Sequence, residues 1–137
     1  AILALVGMSV VMSNSGMTNL LAEGLSASFG AGVYPIVSTF IGALGAFITG
    51  SNNNSNVLFG LLQMRTAELM GLSMTEVLGV QTAGGSIGSV MSPAKVIVGT
   101  STVGLSGKEG AVIARVIKFC AVPLAAVALF AVLRNLF

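Results

Sequence analysis

Apolar residues run along this chain in long blocks, and the polar residues that interrupt them come in short, dense groups. Ala1 to Met12 is apolar almost throughout and ends in the turn-forming group Ser13-Asn14-Ser15-Gly16. Residues 1–16 therefore read as the end of a transmembrane helix. Thr18 to Phe29 carries Leu20, Leu21 and Leu25 at helical spacing with Glu23 among them, the pattern of a short interfacial helix over 18–29. Gly30, Gly32 and Pro35 break the chain, and Pro35 suits the first turn of the next helix. Ile36 to Thr49 is apolar but for Ser38, Thr39 and Thr49. Gly42, Ala46 and Gly50 recur along it every fourth residue, a stripe that lets another helix approach closely and that reads first as packing.

The densest interruption is Ser51-Asn52-Asn53-Asn54-Ser55-Asn56, six consecutive polar side chains between two apolar stretches. After it, Val57 to Met64 is too short to cross a bilayer, which takes roughly 20 residues. Asn56 to Arg65 covers about 14 Å at the helical rise, or roughly half of a hydrocarbon core. The expected element is a re-entrant hairpin over 35–70, its tip unwound from Ser51 to Asn56 and its return helix starting near Val57. Gly71 to Met74 turns the chain, with Ser73 or Thr75 as a cap. The following helix runs through Glu76 to Gln81 and Thr82 and meets Gly84-Gly85-Ser86-Ile87-Gly88-Ser89, about 12 Å further on. A second break is expected there, with the helix resuming near Pro93, so that 74–105 forms a broken transmembrane helix. Residues 110–136 close the chain as a final transmembrane helix, kinked at Pro123.

Composition fits these blocks. The chain is 55% hydrophobic and 7% charged, with mean hydropathy +1.00, whereas soluble domains carry about 25% charged residues. Too few charges are present to coat a water-facing surface, and the expected class is an all-α membrane protein. The opening residues lack both Met and a basic segment, so they do not read as a signal peptide. The expectation is a C-terminal part of a larger, multi-pass membrane protein. Absence of His excludes imidazole catalysis, and the single Cys120 excludes a disulfide or metal framework. The four acids, Glu23, Glu68, Glu76 and Glu109, are expected at surfaces, which argues against an enzyme. A net charge of +2 is too small and scattered for nucleic acid. No cofactor or metal is implied. Glu23, Arg65, Glu68 and Glu76 collect at one membrane face, Lys108, Glu109, Arg115 and Lys118 at the other. Lys and Arg orient membrane proteins, which makes the second face cytoplasmic and leaves Arg134 outside.

Two unwound elements meeting inside a membrane are a transporter feature. Helix N-termini favour anions, and the helices starting near Val57 and Pro93 would both point such ends inward. The candidate substrate-binding residues are Ser51, Asn52, Asn53, Asn54, Ser55, Asn56, Gln81, Thr82, Gly84, Gly85, Ser86 and Lys95. The amides and hydroxyls offer donors to a carboxylate and a hydroxyl, and Gly84 and Gly85 let backbone approach a ligand. Lys95, just past the second break, is costly in an apolar setting and marks function. It would hold a carboxylate, stand in for a coupling cation, or cycle a proton. The plainer readings are a solvated loop for the Asn run, which contains the sequon Asn53-Asn54-Ser55, and a snorkelling side chain for Lys95. Gly84 to Gly88 is not a dinucleotide fingerprint, and Gly99 to Gly104 lacks the Lys of a phosphate loop. Arg115 and Lys118 read as interface anchors. Thr100, Ser101 and Thr102 read as bonding back to their own helix.

These motifs resemble those of the lactate permease family. Gly50-Ser51-Asn52-Asn53-Asn54-Ser55-Asn56-Val57-Leu58-Phe59-Gly60 with Gln63 is similar to that family, as are Gln81 to Ser89, Pro93-Ala94-Lys95, Val98 to Gly104 and Gly107-Lys108-Glu109-Gly110. The resemblance spans about Ile41 to Arg115. It implies a bacterial inner-membrane permease for L-lactate and related 2-hydroxy monocarboxylates such as glycolate, coupled to protons. It further implies an ion-transporter-like fold of two inverted repeats, each giving a re-entrant hairpin and a broken helix to one site. The chain would be the second repeat. Its partners would be the substrate, protons, the lipid bilayer and the N-terminal repeat, with room for a homodimer, and it would not transport alone. Ser51-Asn52-Asn53 stands where the sodium/dicarboxylate branch has Ser-Asn-Thr, and Lys95 lies where that branch builds a sodium site. The competing readings are a sodium-coupled carboxylate symporter and a non-transporting scaffold subunit. The transport reading requires Asn52 to Asn54 to lie beside Gly85 and Lys95 rather than out in bulk solvent.

Overall fold

The computed structural model describes residues 2–135. Ala1, Leu136 and Phe137, at the ends of the first and last expected segments, lie outside them. Among the described residues every regular element is a helix: α1 (Ile2–Asn14), α2 (Met17–Ser28), α3 (Tyr34–Thr49), α4 (Asn52–Met70), α5 (Met74–Val90), α6 (Pro93–Thr102) and α7 (Glu109–Asn135). The all-α expectation holds. α1 and α2 both pack on α4, and α3, α4 and α5 form the centre, with α7 against α3, α5 and α6. Within α7, the 26 residues Glu109–Arg134 form an apolar stretch long enough to cross a membrane. Ile2–Asn14 and Tyr34–Thr49 are apolar but shorter.

Two breaks organise the centre, and both differ from expectation. The first occupies only Gly50 and Ser51. Gly50 takes the left-handed conformation (φ 74°) and its N–H returns to the Ala46 carbonyl at 2.8 Å. That conformation costs a residue with a Cβ about 1–2 kcal/mol. Ser51 is extended, and its hydroxyl accepts from the Asn54 N–H at 3.4 Å, capping α4. So α4 starts at Asn52, not near Val57, and the Asn run is helical rather than unwound. It also continues past Arg65 to Met70, so the limb from Asn52 to Arg65 is about 20 Å long, not the shorter limb expected. The Arg65–Glu68 pair, 2.9 Å apart, sits exposed on this helix without ending it.

The second break falls at Met91 and Ser92, not at Gly84 to Ser89, which are helical throughout. The physical reason lies in packing. A Cβ at Gly84 would overlap the Thr39 carbonyl, one at Gly88 the Ala43 carbonyl, and one at Gly42 the Gln81 carbonyl. These glycines serve to let the backbones of α3 and α5 touch, as small residues do between helices in membranes. The pairing Thr39 with Gly84 and Ala43 with Gly88 makes the two helices parallel. Ser38 donates to the Val77 carbonyl at 3.0 Å across the same contact.

α7 lays Leu124, Ala128 and Ala131 inward and leaves Phe119, Val122, Leu129 and Phe130 exposed. A helix apolar on its outward face suits lipid rather than water. Arg134 near its end pairs with Glu76 at the start of α5, 2.9 Å apart. The charge pattern had assigned these two residues to one face, and they do lie at one end of the bundle. Thr100 and Ser101 return bonds to Val96 and Ile97 carbonyls and Thr102 to that of Gly99, as expected.

Replacing Gly84 by Ala should lower the stability of the detergent-solubilised protein by about 1–3 kcal/mol through overpacking against Thr39. Gly79→Ala on the same helix, where an added Cβ meets nothing within 4 Å, should leave it unchanged or raise it by up to about 1 kcal/mol. Thermal unfolding of the two variants checks the contrast.

Candidate functional site

The two breaks touch. A Cβ built on Gly50 would lie 3.3 Å from the Ser92 hydroxyl and 3.6 Å from the Ala94 methyl. Four helix ends therefore meet in one place: the C-termini of α3 and α5 and the N-termini of α4 and α6. Because side chains three and four residues apart share a helix face, Asn52 and Asn56 on α4 look towards Thr82, Ser86 and Ser89 on α5.

A hydrogen-bonded ladder joins these faces. Asn52 Nδ2 donates to Ser86 Oγ at 2.8 Å. Asn56 Oδ1 accepts from Gln81 Nε2 at 3.1 Å and from Thr82 Oγ1 at 3.4 Å. Ser86 donates to the Thr82 carbonyl and Ser89 to the Ser86 carbonyl, each at 3.0 Å. The ladder ends at Lys95, whose Nζ donates to Ser89 Oγ at 3.1 Å. Ser55 is fully buried and donates to the Gly42 carbonyl at 2.8 Å, tying the start of α4 to α3. Gly85 is closely faced by Asn52 Oδ1.

Of the residues singled out by sequence, Asn52, Asn56, Gln81, Thr82, Gly85, Ser86 and Lys95 are thus brought together. Ser51 serves as a cap and Ser55 as a tie within the hairpin. Gly84 faces α3, away from the ladder. Asn53 is exposed and Asn54 partly buried, with its N–H in the cap. Asn52, the first of the run, lies against Gly85 and reaches Lys95 through Ser86 and Ser89. Sequence reasoning missed Ser89 and Ser92. Ser89 follows Thr82 and Ser86 at helical spacing, and Ser92 immediately precedes a proline, a helix-start signal. Both signals were readable.

At the carbonyl ends, Ala46 accepts from the Gly50 N–H and Gly88 from the Met91 N–H, and the Lys95 ammonium donates to Ser89 beside the last turn of α5. The two helix starts keep open N–H groups. Asn52 and Asn53 open α4 with N–H groups that have no intrahelical carbonyl to bond. At α6, Pro93 has no N–H, and Lys95 and Val96 both use the Ser92 carbonyl at 3.1 Å, which leaves the N–H of Ala94. Ser92 Oγ is fully buried and makes no hydrogen bond. Lys95 has no acidic partner among the described residues: Glu68 is paired with Arg65, Glu76 with Arg134, and Glu109 accepts from the Gly107 N–H. Two open helix N-termini and an ammonium without a counter-ion favour an anion. Among the described residues no three of His, Cys, Asp and Glu group as metal ligands.

A separate cleft of about 530 Å³ lies between α5 and α7, lined by Val80, Ala83, Ala126 and Phe130, with Glu76 and Arg134 at one end. Its walls are apolar and its only cation is already paired, so the ladder, not the cleft, has the polar chemistry of a site.

Removing Asn56 and Gln81 singly and together by Ala substitution should give a coupling energy of about 0.5–3 kcal/mol in unfolding measurements, as for residues sharing one network.

The whole chain, residues 1–137, matches the L-lactate permease family, and the chain belongs to that family. It is 41% identical over 100 residues to the glycolate permease GlcA of Escherichia coli K12, covering 72% of this chain and 17% of that protein. It is 36% identical over 108 residues to the L-lactate permease of Bacillus subtilis 168, covering 79% and 19%. To the L-lactate permease of Halalkalibacterium halodurans it is 32% identical over 118 residues, covering 86% and 22%. The chain thus spans about a fifth of the length of these relatives. No solved structure matches it. The family is one of permeases, not of enzymes.

Proposed function

We propose that this chain forms part of a secondary transporter of the bacterial inner membrane that takes up L-lactate and related 2-hydroxy monocarboxylates such as glycolate by proton symport. The observation that carries the reading is Lys95, an ammonium whose only partner among the described residues is the neutral Ser89 hydroxyl, at the meeting point of two helix breaks. The names of the relatives supply the substrate class. In this reading the Lys95 ammonium and the open N–H groups of α4 and α6 take the carboxylate. Asn52, Asn53, Asn56, Thr82 and Ser86 take the 2-hydroxyl, because amides and hydroxyls both donate and accept.

The same reading makes α3 and α4 a re-entrant hairpin and α5 and α6 a broken transmembrane helix, together forming the second of two inverted repeats. Irregular backbone at membrane depth needs protein or a wet cavity around it, and the first repeat would supply the opposite wall. An ammonium on Ser89, at the negative end of α5, occupies the kind of place that would otherwise attract a sodium ion. That favours protons over sodium as the coupling ion.

Radiolabelled L-lactate uptake by the full-length permease in vesicles tests the proposal. An imposed inward pH gradient should drive accumulation, glycolate should compete, and sodium should have no effect. Lys95→Met should cut uptake by about 10- to 100-fold, the value of a lost charged hydrogen bond, while Lys118→Met should leave it near normal. Near-normal uptake by Lys95→Met at equal expression would remove Lys95 from the site.

A further inference from the structure

Among the described residues, four buried side-chain atoms lack a hydrogen-bond partner: Asn52 Oδ1, Gln63 Nε2, Gln81 Oε1 and Ser92 Oγ. All four belong to α4, α5 or the break that follows α5. Buried polar atoms are seldom left unpaired, and each such atom in a native structure calls for an explanation. For Gln63 and Gln81, both fully buried, turning the amide round would not help. Each is held at one of its two polar atoms only, Gln63 Oε1 by the Tyr34 hydroxyl at 2.6 Å and Gln81 Nε2 by Asn56 at 3.1 Å.

The register joins these groups into one line. Asn52, Asn56, Gly60 and Gln63 follow each other at spacings of four, four and three on α4, one face of the helix. Gly60, half-buried between Asn56 and Gln63, has space open to its surroundings where a side chain would stand, with nothing within 4 Å of an added Cβ. Such a site is polar and has room, the two conditions for ordered water. At its far end the line stops at Tyr34, fully buried in a cluster with Ala67 and Val77, against which Leu25, Val37, Met70 and Leu72 pack. At its near end it joins the ladder that ends at Lys95.

We infer that the seam between α4 and α5 holds a file of ordered water running from the Tyr34–Gln63 pair to the Asn52–Ser86 ladder, and that this file is the route by which the coupled proton reaches the substrate. The inference of a proton route rests on the symport reading; the inference of water does not. Water completes the Gln63 and Gln81 amides. Each oxygen along the file takes up one proton and releases another, so one proton moves and no bond is lost. Protons enter the far end of the file through the Tyr34 hydroxyl, and the apolar cluster around that ring keeps other ions out.

Two experiments on the full-length permease decide the matter. X-ray radiolysis ionises bound water and oxidises the side chains beside it. Tyr34 should gain oxygen despite its burial, and should lose that labelling in Gln63→Met, where the water's donor is gone. An unlabelled Tyr34 in the wild-type protein overturns the water file. In transport, Tyr34→Phe, which removes one oxygen and keeps the ring, should lower pH-driven accumulation by about tenfold or more, the scale of a lost proton-transfer group, while lactate counterflow without a pH gradient is kept. Accumulation unchanged in Tyr34→Phe overturns the route. Were the wild-type permease to show no lactate counterflow, the transporter reading would fail, and the labelling of Tyr34 would still decide for or against the water.

Discussion

A helix that stops in an apolar setting leaves backbone donors at one end and acceptors at the other, and water is not there to take them. That constraint shapes the centre of this protein. Four helix ends meet around Gly50 and Ser92. The Gly50 N–H answers the Ala46 carbonyl and the Met91 N–H that of Gly88, and the Lys95 ammonium bonds Ser89 beside the end of α5. The starts of α4 and α6 keep free N–H groups, and with the ammonium beside them the break suits an anion.

Bringing the ends together depends on how closely α3 and α5 pack. Gly42, Gly84 and Gly88 leave no room for a Cβ between the two backbones. A wider separation would carry α5 away from α4 as well, since α4 is tied to α3 by Ser55 and reaches α5 through Asn52 and Asn56. The glycines of α5 thus act at one remove from the site, by setting the spacing at which the amides of α4 meet the hydroxyls of α5.

How far the sequence revealed this depends on which signal is read. Membrane class, helical content and the placement of Arg134 and Glu76 at one end followed from composition and charge spacing. The ladder followed in outline, because Asn52, Asn56, Gln81, Thr82 and Ser86 are polar residues where apolar ones would be expected. The breaks were misplaced because glycine has two uses. Gly84-Gly85 and Gly88 were read as unwinding, but their neighbours on α3 make them contact points, and only the tertiary structure says so. The Asn run, six polar side chains between apolar stretches, was read as an unwound tip, and Asn does disfavour helix interiors. The Ser51 cap and the bonds of Asn52 and Asn56 to α5 outweigh that preference, which is worth only tenths of a kcal/mol per residue. Ser92 went unnoticed because a serine before a proline looks like an ordinary cap, whereas its hydroxyl is buried and does not cap.

Charge balance then bears on the kind of acid the site would take. Lys95 is the one full charge on the ladder, and Glu23, Glu68, Glu76 and Glu109 are all elsewhere. Lys95 is exposed in this chain; once the rest of a permease closed over it, an unpaired ammonium would be costly and a paired one much less so. One carboxylate brings the pair to neutrality; a second would leave a net negative charge to be desolvated, with only helix ends, each worth about half a charge, to offset it. A hydroxyl on the neighbouring carbon asks for something different, a group that both donates and accepts, and Asn52, Thr82 and Ser86 are of that kind. Under the transport reading, the single ammonium selects one carboxylate and the amide–hydroxyl ladder selects a hydroxyl beside it. A small 2-hydroxy monocarboxylate meets both demands, and a dicarboxylate would need a second cation that these residues do not contain.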